Sequence, residues 1–559
     1  MALTKVNSGG VEDGEITNSD IHTSAAIAGS KIDPTFAGTS GVKLPVGTTA
    51  QRVNTTGLVR FNSETGLLEY YDGTTYKGLD TPPTVSSVNS SNFESSALPT
   101  NVVITGSNFS STVTVKFIGA DGTETASGSV TRDSATQVTA QIPNTITSNN
   151  EPYKIQVTNS SGLSGTLASA FNIDAAPVFS VASGSLGTLG SYGAGSGLTA
   201  VTATDDEGDS ITFSVTSGSV PGGLTFNSNG TWSGNANSVS SSTTSTFTVT
   251  ASDGTNTSTR QYTVTVNPVY VVLSGSGTWT PASNITSAEI LIVGGGASGA
   301  RSPNVSSGGG GAGGIVHRAS YTFTSTDKSS GIAYSVGAGG NGVGISPEAY
   351  DGGYNNGGDT TFAVSGGTIT AKGGGGGAGY GGNSPHKSGF GSSYYAPSQG
   401  GSGGGGAWES GTGATSNQAD FTGWTSYGNS GGNRVSGENY SGAGGGGAAA
   451  AGSNSTVAAG GAGGAGQLFS SFTSYGESGY FGGGGGGGSN TTASAAAGGN
   501  GGGGDGGYAS NGSGGGTIYS GTNAIDGTGG GGGGAKNPGY GTYTSKSGDG
   551  GNGTILIKY

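Results

Sequence analysis

The chain has no cysteine among its 559 residues. That excludes disulfide staples, thiolate nucleophiles and cysteine metal sites together. Histidine is nearly as scarce, with only His22, His317 and His386, so most transition-metal and general-base designs lack their usual side chain. Charged residues make up 9% of the sequence and sum to -13, a balance that repels a nucleic-acid backbone or an anionic membrane. Neither nucleic acid nor membrane insertion is expected. No apolar run approaches the roughly 18 residues of a membrane-spanning helix, and Met1 to Gly14 lacks the charged-then-apolar layout of a secretory signal. What the sequence has instead is glycine, 123 of it, among abundant Ser, Thr and Asn. Such a composition favours strands, turns and extended chain over helices. At this length several domains are expected, since single cores rarely grow past roughly 250 to 300 residues. The fold class follows as all-β with almost no helix.

Residues 1–45 carry few large apolar side chains and read as an extended arm, with one helical turn possible around Ser24 to Ile32. Residues 46–80 hold two short strands, Gly57 to Asn62 and Leu67 to Tyr71, joined by Ser-Glu-Thr-Gly and closed by Asp72-Gly73, which is a hairpin signal. This module resembles one found near the N-termini of bacteriophage tail-fibre and related virion proteins. From 81 to 174 the runs Val113-Thr-Val115-Lys-Phe117 and Tyr153-Lys-Ile155-Gln-Val157 alternate apolar and polar, the mark of antiparallel strands buried on one face. Pro82-Pro83, then Ile104-Thr-Gly106-Ser-Asn108-Phe109, then Ile155-Gln-Val157-Thr-Asn159 resemble the IPT/TIG family of immunoglobulin-like sandwiches, which implies a spacer or interaction module.

A second sandwich is expected over 175–268, with Ile211 to Val215, Phe247 to Ala251 and Tyr262 to Val266 as its clearest strands. Thr204-Asp-Asp-Glu-Gly-Asp209, Pro221 to Phe226, Gly230-Thr-Trp-Ser-Gly234 and Ala251-Ser-Asp253-Gly254 resemble the cadherin-like immunoglobulin domains of bacterial and phage surface proteins. The resemblance implies calcium as a candidate ligand, held by Asp205, Asp206, Asp209 and Asp253, because a hard cation takes several oxygens. The alternative for these residues is a set of solvated turns.

Over 269–559 glycine comes in blocks: Gly308 to Gly311, Gly373 to Gly377, Gly403 to Gly406, Gly444 to Gly447, Gly482 to Gly488, Gly501 to Gly504 and Gly529 to Gly534. Proline is sparse and no three-residue repeat is sustained, which excludes collagen. The loops between blocks carry many aromatic rings, which a flexible linker does not need. Ordered glycine runs must offset the largest backbone entropy loss of any residue. The extended threefold helix supplies a reason: rods without Cβ atoms pack side by side and hydrogen-bond laterally in three directions. Gly482 to Gly488 and Gly529 to Gly534 are then interior rods, and the mixed run Gly460 to Gly466 an edge. The apolar strands Ala288 to Val293 and Gly553 to Tyr559 bracket the region and are expected to share one small closing sheet. The layout, with Tyr334 to Gly340 and Ile369 to Gly374, resembles the glycine-rich domain of phage tail and fibre proteins. Its polyglycine II-type core also resembles the adhesins at the tips of T-even-like long tail fibres.

Two catalytic patterns invite comparison with this half of the chain. Gly294-x-Gly296-x-x-Gly299 follows an apolar strand, as a dinucleotide-binding fingerprint would. The segment after it cannot form the required helix, since Pro303 and the Gly308 block interrupt it, and no acidic residue appears before Asp327 to take a ribose hydroxyl. A tail-spike depolymerase would need a pair of carboxylates, and those of this half are isolated among glycines. The expectation is a non-enzymatic protein without a cofactor. The resemblances imply a virion fibre located on the phage tail and assembled in the host cytoplasm. Its arm would join other tail or baseplate proteins, its copies would form a homo-trimer, and its glycine-rich end would bind a host cell-surface receptor. Candidate receptor contacts are Tyr380, Tyr394, Tyr395, Trp408, Trp424, Tyr427, Tyr440, Phe472, Tyr475 and Tyr480, for which packing against the rods is the competing role. The alternative function is a purely architectural decoration or collar fibre.

Overall fold

The period-two runs of the first half fold as the pattern dictates, with apolar residues facing inward and polar ones outward. The structure, a computed structural model, describes residues 44–79, 81–302, 305–344, 353–381, 393–407, 411–435, 441–490, 494–509, 517–536 and 545–559. The arm and its expected helical turn near Ser24 lie outside the described residues. The chain divides into two units, Met1–Ala176 and Pro177–Tyr559.

In the first unit, Val59–Asn62 and Leu67–Tyr71 form the expected hairpin, Tyr76–Leu79 extends it, and Val46–Gly47 joins the other edge in parallel. An immunoglobulin-like sandwich follows. One sheet orders Val130–Ser134, Gln137–Ile142, Thr100–Ser107 and Thr84–Val88; the other orders Asn92–Glu94, Ser164–Asp174, Tyr153–Asn159, Val113–Ile118 and Glu124–Ala126. Val115, Phe117, Ile155, Val157 and Phe171 meet in its core. Gly106 is needed where the sheet irregularity at Val85 and Ser87 brings strands close, because a Cβ there would overlap the carbonyl of Thr84.

The second unit opens with another sandwich. Gly184–Gly190 runs parallel to Thr257–Asn267, which pairs with Thr243–Ser252 and then Thr212–Gly218. Trp232, Phe247 and Tyr262 fill its core, and Trp232 satisfies its indole N–H on the carbonyl of Thr199 at 3.1 Å.

The glycine-rich part is closed by a five-stranded sheet in the order Tyr270–Leu273, Thr554–Lys558, Ser287–Val293, Ile315–Thr322, Thr425–Tyr427. The two bracketing strands are neighbours, with Ile290 opposite Ile557 and Leu291 opposite Leu556. The run Ile290 to Val293 is continuously apolar because this sheet is covered on both faces. Ile290, Ile292, Ile555 and Ile557 pack toward a second sheet that supplies Ile332, Phe362 and Ile369. Leu291, Val293 and Leu556 pack with Phe469, Phe472 and Phe481. One short α-helix, Ser325–Ser330, occurs among the described residues, capped by Thr324 and Asp327.

From this base the glycine blocks run as extended rods. Along Gly482 to Gly488 the amide donors rotate through three directions. Gly483 and Gly486 bond Gly501 and Gly504, Gly484 and Gly487 bond Gly464 and Gly461, and Gly485 and Gly488 bond Gly310 and Ser307, all at 2.8 to 2.9 Å. That rotation is the threefold periodicity of an extended helix with no bonds inside itself. Gly531 and Gly534 bond Gly483 and Gly486 in turn, while Gly532 and Ala535 bond Ala297 and Ala300. Every residue of the two long blocks is buried, whereas Gly460, Ala462, Gly463 and Ala465 of the mixed run are only partly covered, as an edge rod requires.

Candidate functional site

The fingerprint glycines belong to this lattice. Gly294 to Ser302 is extended, not helical. The amides that a phosphate would use are taken: Gly294 bonds Gly314, Gly296 bonds Gly551 and Gly299 bonds Gly548. A Cβ on Gly294, Gly296 or Gly299 would overlap the carbonyl of Lys372, Gly530 or Gly533 respectively. Glycine is required here for backbone against backbone.

Gly294 to Ser302 leaves the closing-sheet strand Ser287–Val293 and Gly308 to Gly314 enters the strand Ile315–Thr322, so Arg301 and Gly308 lie away from that sheet. The hydrogen bonds join the described residues at those far ends. Arg301 exchanges backbone bonds with Gly353, at 3.1 and 3.3 Å, and its Nε donates to the carbonyl of Ser545 at 3.1 Å. Lys536 donates from Nζ to Oδ1 of Asn490 at 3.2 Å, and the Asn490 amide donates to Oγ of Ser441 at 3.1 Å. Ala443 bonds Gly406, Gly308 bonds Ala378, and Gly507 bonds Gly534. The described residues Arg301, Gly353 and Ser545, and likewise Lys536, Asn490 and Ser441, are therefore gathered together away from the closing sheet. Arg301 and Lys536 are 3% and 2% exposed there, and burial pushes the Lys536 amine down from its ordinary value.

The ten candidate aromatic residues separate into two groups. Trp408 and Tyr440 lie outside the described residues. Tyr380 and Tyr394 pair across a short ladder at the far end, as Gly379 does with half-buried Tyr395. The remaining five sit at the base. Phe472 is fully buried against the closing sheet, which corrects its assignment as a receptor contact: burial leaves it no accessible surface. Trp424 packs 5.8 Å from Tyr321 and lies under the Arg318 guanidinium at 6.0 Å. Tyr427 meets Phe469 edge-on at 5.6 Å, and Tyr475 meets Tyr270 at 5.6 Å. Tyr480 pairs with Leu468 in the ladder that carries Phe481 into the core. Within the Phe469 to Phe481 loop, Phe469, Phe472 and Phe481 pack as a cover on the second face of the sheet, while Tyr475 and Tyr480 keep part of their surface exposed.

Sequence reasoning missed Tyr508 and Tyr519. They pair across a ladder at the mouth of segment 510–516, with rings stacked 4.6 Å apart at 14°, and Tyr519 is 44% exposed. The available signal was a tyrosine on each side of a Ser/Asn/Gly segment.

The calcium candidates Asp205 and Asp253 are largely occupied by their own turns. Asp205 spends Oδ1 on the amides of Glu207 and Asp209, and Asp253 spends Oδ1 on those of Thr255 and Asn256. Oδ2 of Asp205 and of Asp253 is buried without a hydrogen-bond partner. Among the described residues, however, no three acidic or histidine side chains form a group able to hold a metal, and calcium takes six to eight oxygens. Asp206 and Asp209 remain exposed turn residues.

Among the described residues no helix is long and apolar enough to cross a membrane. Three family profiles match the chain: "Glycine-rich domain" over residues 271–559, "Putative Ig domain" over 180–267 and "IPT/TIG domain" over 83–172. Fold and profiles define an all-β chain of immunoglobulin-like, adhesion-type domains followed by a glycine-rich region, the make-up of a surface or adhesin-like protein. By its longest match the chain belongs to the glycine-rich domain family. Solved structures similar to it include the protocadherin GammaB4 extracellular domain (17% identity, 41% of this chain and 45% of that one, TM-score 0.21). Drosophila OTK extracellular domains 3–5 (17%, 37% and 72%, 0.20) and mouse Cadherin-23 EC22–24 (14%, 38% and 82%, 0.20) are others. The chain thus spans less than half the length of the protocadherin structure. No curated protein matches it.

Proposed function

We propose that the protein is a non-enzymatic bacteriophage fibre adhesin that attaches the virion to its host through the far end of the glycine lattice. One observation supports the reading: Arg301, Gly353, Ser545, Lys536, Asn490 and Ser441, from distant parts of the sequence, are tied together at the lattice end away from the closing sheet. Rods whose backbone groups are spent on each other form a rigid platform, and a rigid platform lowers the ordering cost of binding. The face opposite the sheet is thereby free to vary in sequence without touching the fold. A tyrosine pair at its rim suits the apolar face of a sugar ring or of a surface-protein side chain. In this reading the arm at 1–45 joins other tail or baseplate proteins and the sandwiches act as spacers.

The test is adsorption of purified full-length chain to a panel of bacterial surfaces, with variants in which 382–392 or 510–516 is replaced by a short Gly-Ser linker. Loss of binding in at least one variant, with the melting temperature of the parent, supports the adhesin. A parent that binds no surface, or variants that all bind like the parent, favours the architectural fibre. Release of new reducing ends from surface glycan would favour a depolymerase instead.

A further inference from the structure

Tyr270, Lys558 and Glu289 stand in register across three strands of the closing sheet, so their side chains form one polar row on the face that also carries Leu291 and Leu556. Side chains directly opposite one another in an antiparallel pair come within about 4.5–5.5 Å at Cβ. None of the ion pairs among the described residues, however, joins Glu289 to Lys558. Each is engaged elsewhere. Lys558, 7% exposed, donates from Nζ to the carbonyl of Ser240 at 2.8 Å and lies over the Tyr270 ring at 5.7 Å. The Glu289 carboxylate lies 2.9 Å from Nε2 of His317 and takes a second bond from the Ser471 hydroxyl. Burial alone would push its carboxyl up, but those two bonds outweigh that and hold it below the ordinary value. A β-bulge sets it there: Ala288 faces Tyr321 and Ile290 faces Arg318, so Glu289 is opposed by both Ala319 and Ser320. Bulges of this kind re-aim a side chain and recur beside functional sites. Glu289 and Lys558 both line a cleft of about 380 Å³, which residues 238–240 of the second sandwich bound on its other side.

We infer that this cleft binds a neutral sugar ring. Its volume lies at the lower end of the roughly 300–1,000 Å³ of small-molecule sites, which favour the junctions between domains. An ammonium has three N–H donors, of which Lys558 spends one on Ser240. A carboxylate has about four lone-pair sites, of which Glu289 spends one on His317 and one on Ser471. Unused donors and unused acceptors therefore stand side by side in one cleft. A hydroxyl both donates and accepts, so adjacent hydroxyls of a single ring can bridge the amine and the carboxylate. A ligand bearing one full charge would be attracted by one of them and repelled by the other, so neither sign is favoured. Ser240 and Ser320 add hydroxyls at the rim. The cleft lies at the closing sheet, away from the far end of the lattice, and does not depend on host attachment there.

Saturation-transfer NMR on the full-length chain tests this with methyl glycosides of glucose, galactose and mannose, and with glucuronate and protonated glucosamine as charged comparators. At least one neutral glycoside is expected to bind saturably, and the charged sugars more weakly. Ser320→Trp, which fills the cleft from an exposed position, is expected to abolish that binding at the parent's melting temperature. Glu289→Gln is expected to weaken it about tenfold, the loss of one charge-assisted hydrogen bond. Replacing 382–392 or 510–516 with a linker should leave it intact, which separates this cleft from host contacts at the far end. If the ring is presented as the terminal residue of a surface glycan, an oligosaccharide ending in it binds more tightly than the methyl glycoside; if it is taken up free, the two bind alike. A parent that binds none of the neutral glycosides overturns the inference. So does a charged sugar that binds more tightly than all of them, or a Ser320→Trp chain that binds like the parent.

Discussion

The amide of Gly485 donates to the carbonyl of Gly310 at 2.9 Å, and a Cβ on Gly485 would overlap the carbonyl oxygen of Gly532 on a third rod. Gly485→Ala should therefore destabilise the domain by ~1–3 kcal/mol or more, because the obstructing atoms, of Gly531 and Gly532, are backbone and cannot swing aside. Gly366→Ala is the matched control. It is exposed, with nothing within 4 Å of its Cβ position and no positive φ, so it should change stability by less than about 1 kcal/mol. Thermal melting compares the two, and equal melting temperatures would contradict the lattice.

The buried ring at the base and the stacked rim pair should respond in opposite ways. Phe472→Ala removes a fully buried ring from the base and should cost ~3–5 kcal/mol. Tyr508→Ala/Tyr519→Ala removes the rim stack and should cost only about 0.5–1.5 kcal/mol for the ring contact, while weakening surface adsorption. A double variant that binds normally would remove the pair from the binding reading.

Asp327 sets a pH dependence. Burial alone would push its carboxyl up, but bonds from the amides of Thr324 and Ser365, the Thr324 hydroxyl and the Tyr321 phenol outweigh that and hold it below the usual carboxylate range. Its contribution is present above the unfolded value, about 3.9, and is lost as pH falls through the lower folded value. Asp327→Asn should cost ~1–3 kcal/mol at neutral pH. The gap between the parent and variant melting temperatures should close as the solution is acidified below about pH 4.

Glu69 anchors the small sheet at 44–79. Glu69→Ala leaves Arg60 buried without its carboxylate partner, and breaking such a pair costs ~3–5 kcal/mol. Limited proteolysis should then cut within 44–79 before it cuts the sandwich at 84–174. Equal resistance to cleavage in parent and variant would contradict the buried role of the network.

How much was legible varied with the periodicity. Val113, Val115 and Phe117 announce their strand because each sandwich sheet is buried on one face only. That Ala288 to Val293 and Gly553 to Tyr559 share a sheet could be anticipated, because besides Tyr270 to Leu273 they are the strongly apolar runs that bracket the glycine region; the register, Ile290 opposite Ile557, could not. The aromatic loops were not legible. Tyr395 and Phe472 sit in similar polar surroundings in the sequence, and only the uncovered second face of the closing sheet draws Phe472, Phe469 and Phe481 inward.

The sequence by itself determined the all-β class, the two sandwiches and the need for glycine to meet backbone, because each follows from local periodicity or from the absence of a side chain. Tertiary structure alone decided which rod lies beside which, and hence which distant residues meet at one end of the lattice. It also decided which rings are core, and it set Glu289 opposite Lys558. Those outcomes depend on hydrogen bonds and contacts between residues hundreds of positions apart, such as Arg301 with Ser545, and no local pattern encodes them.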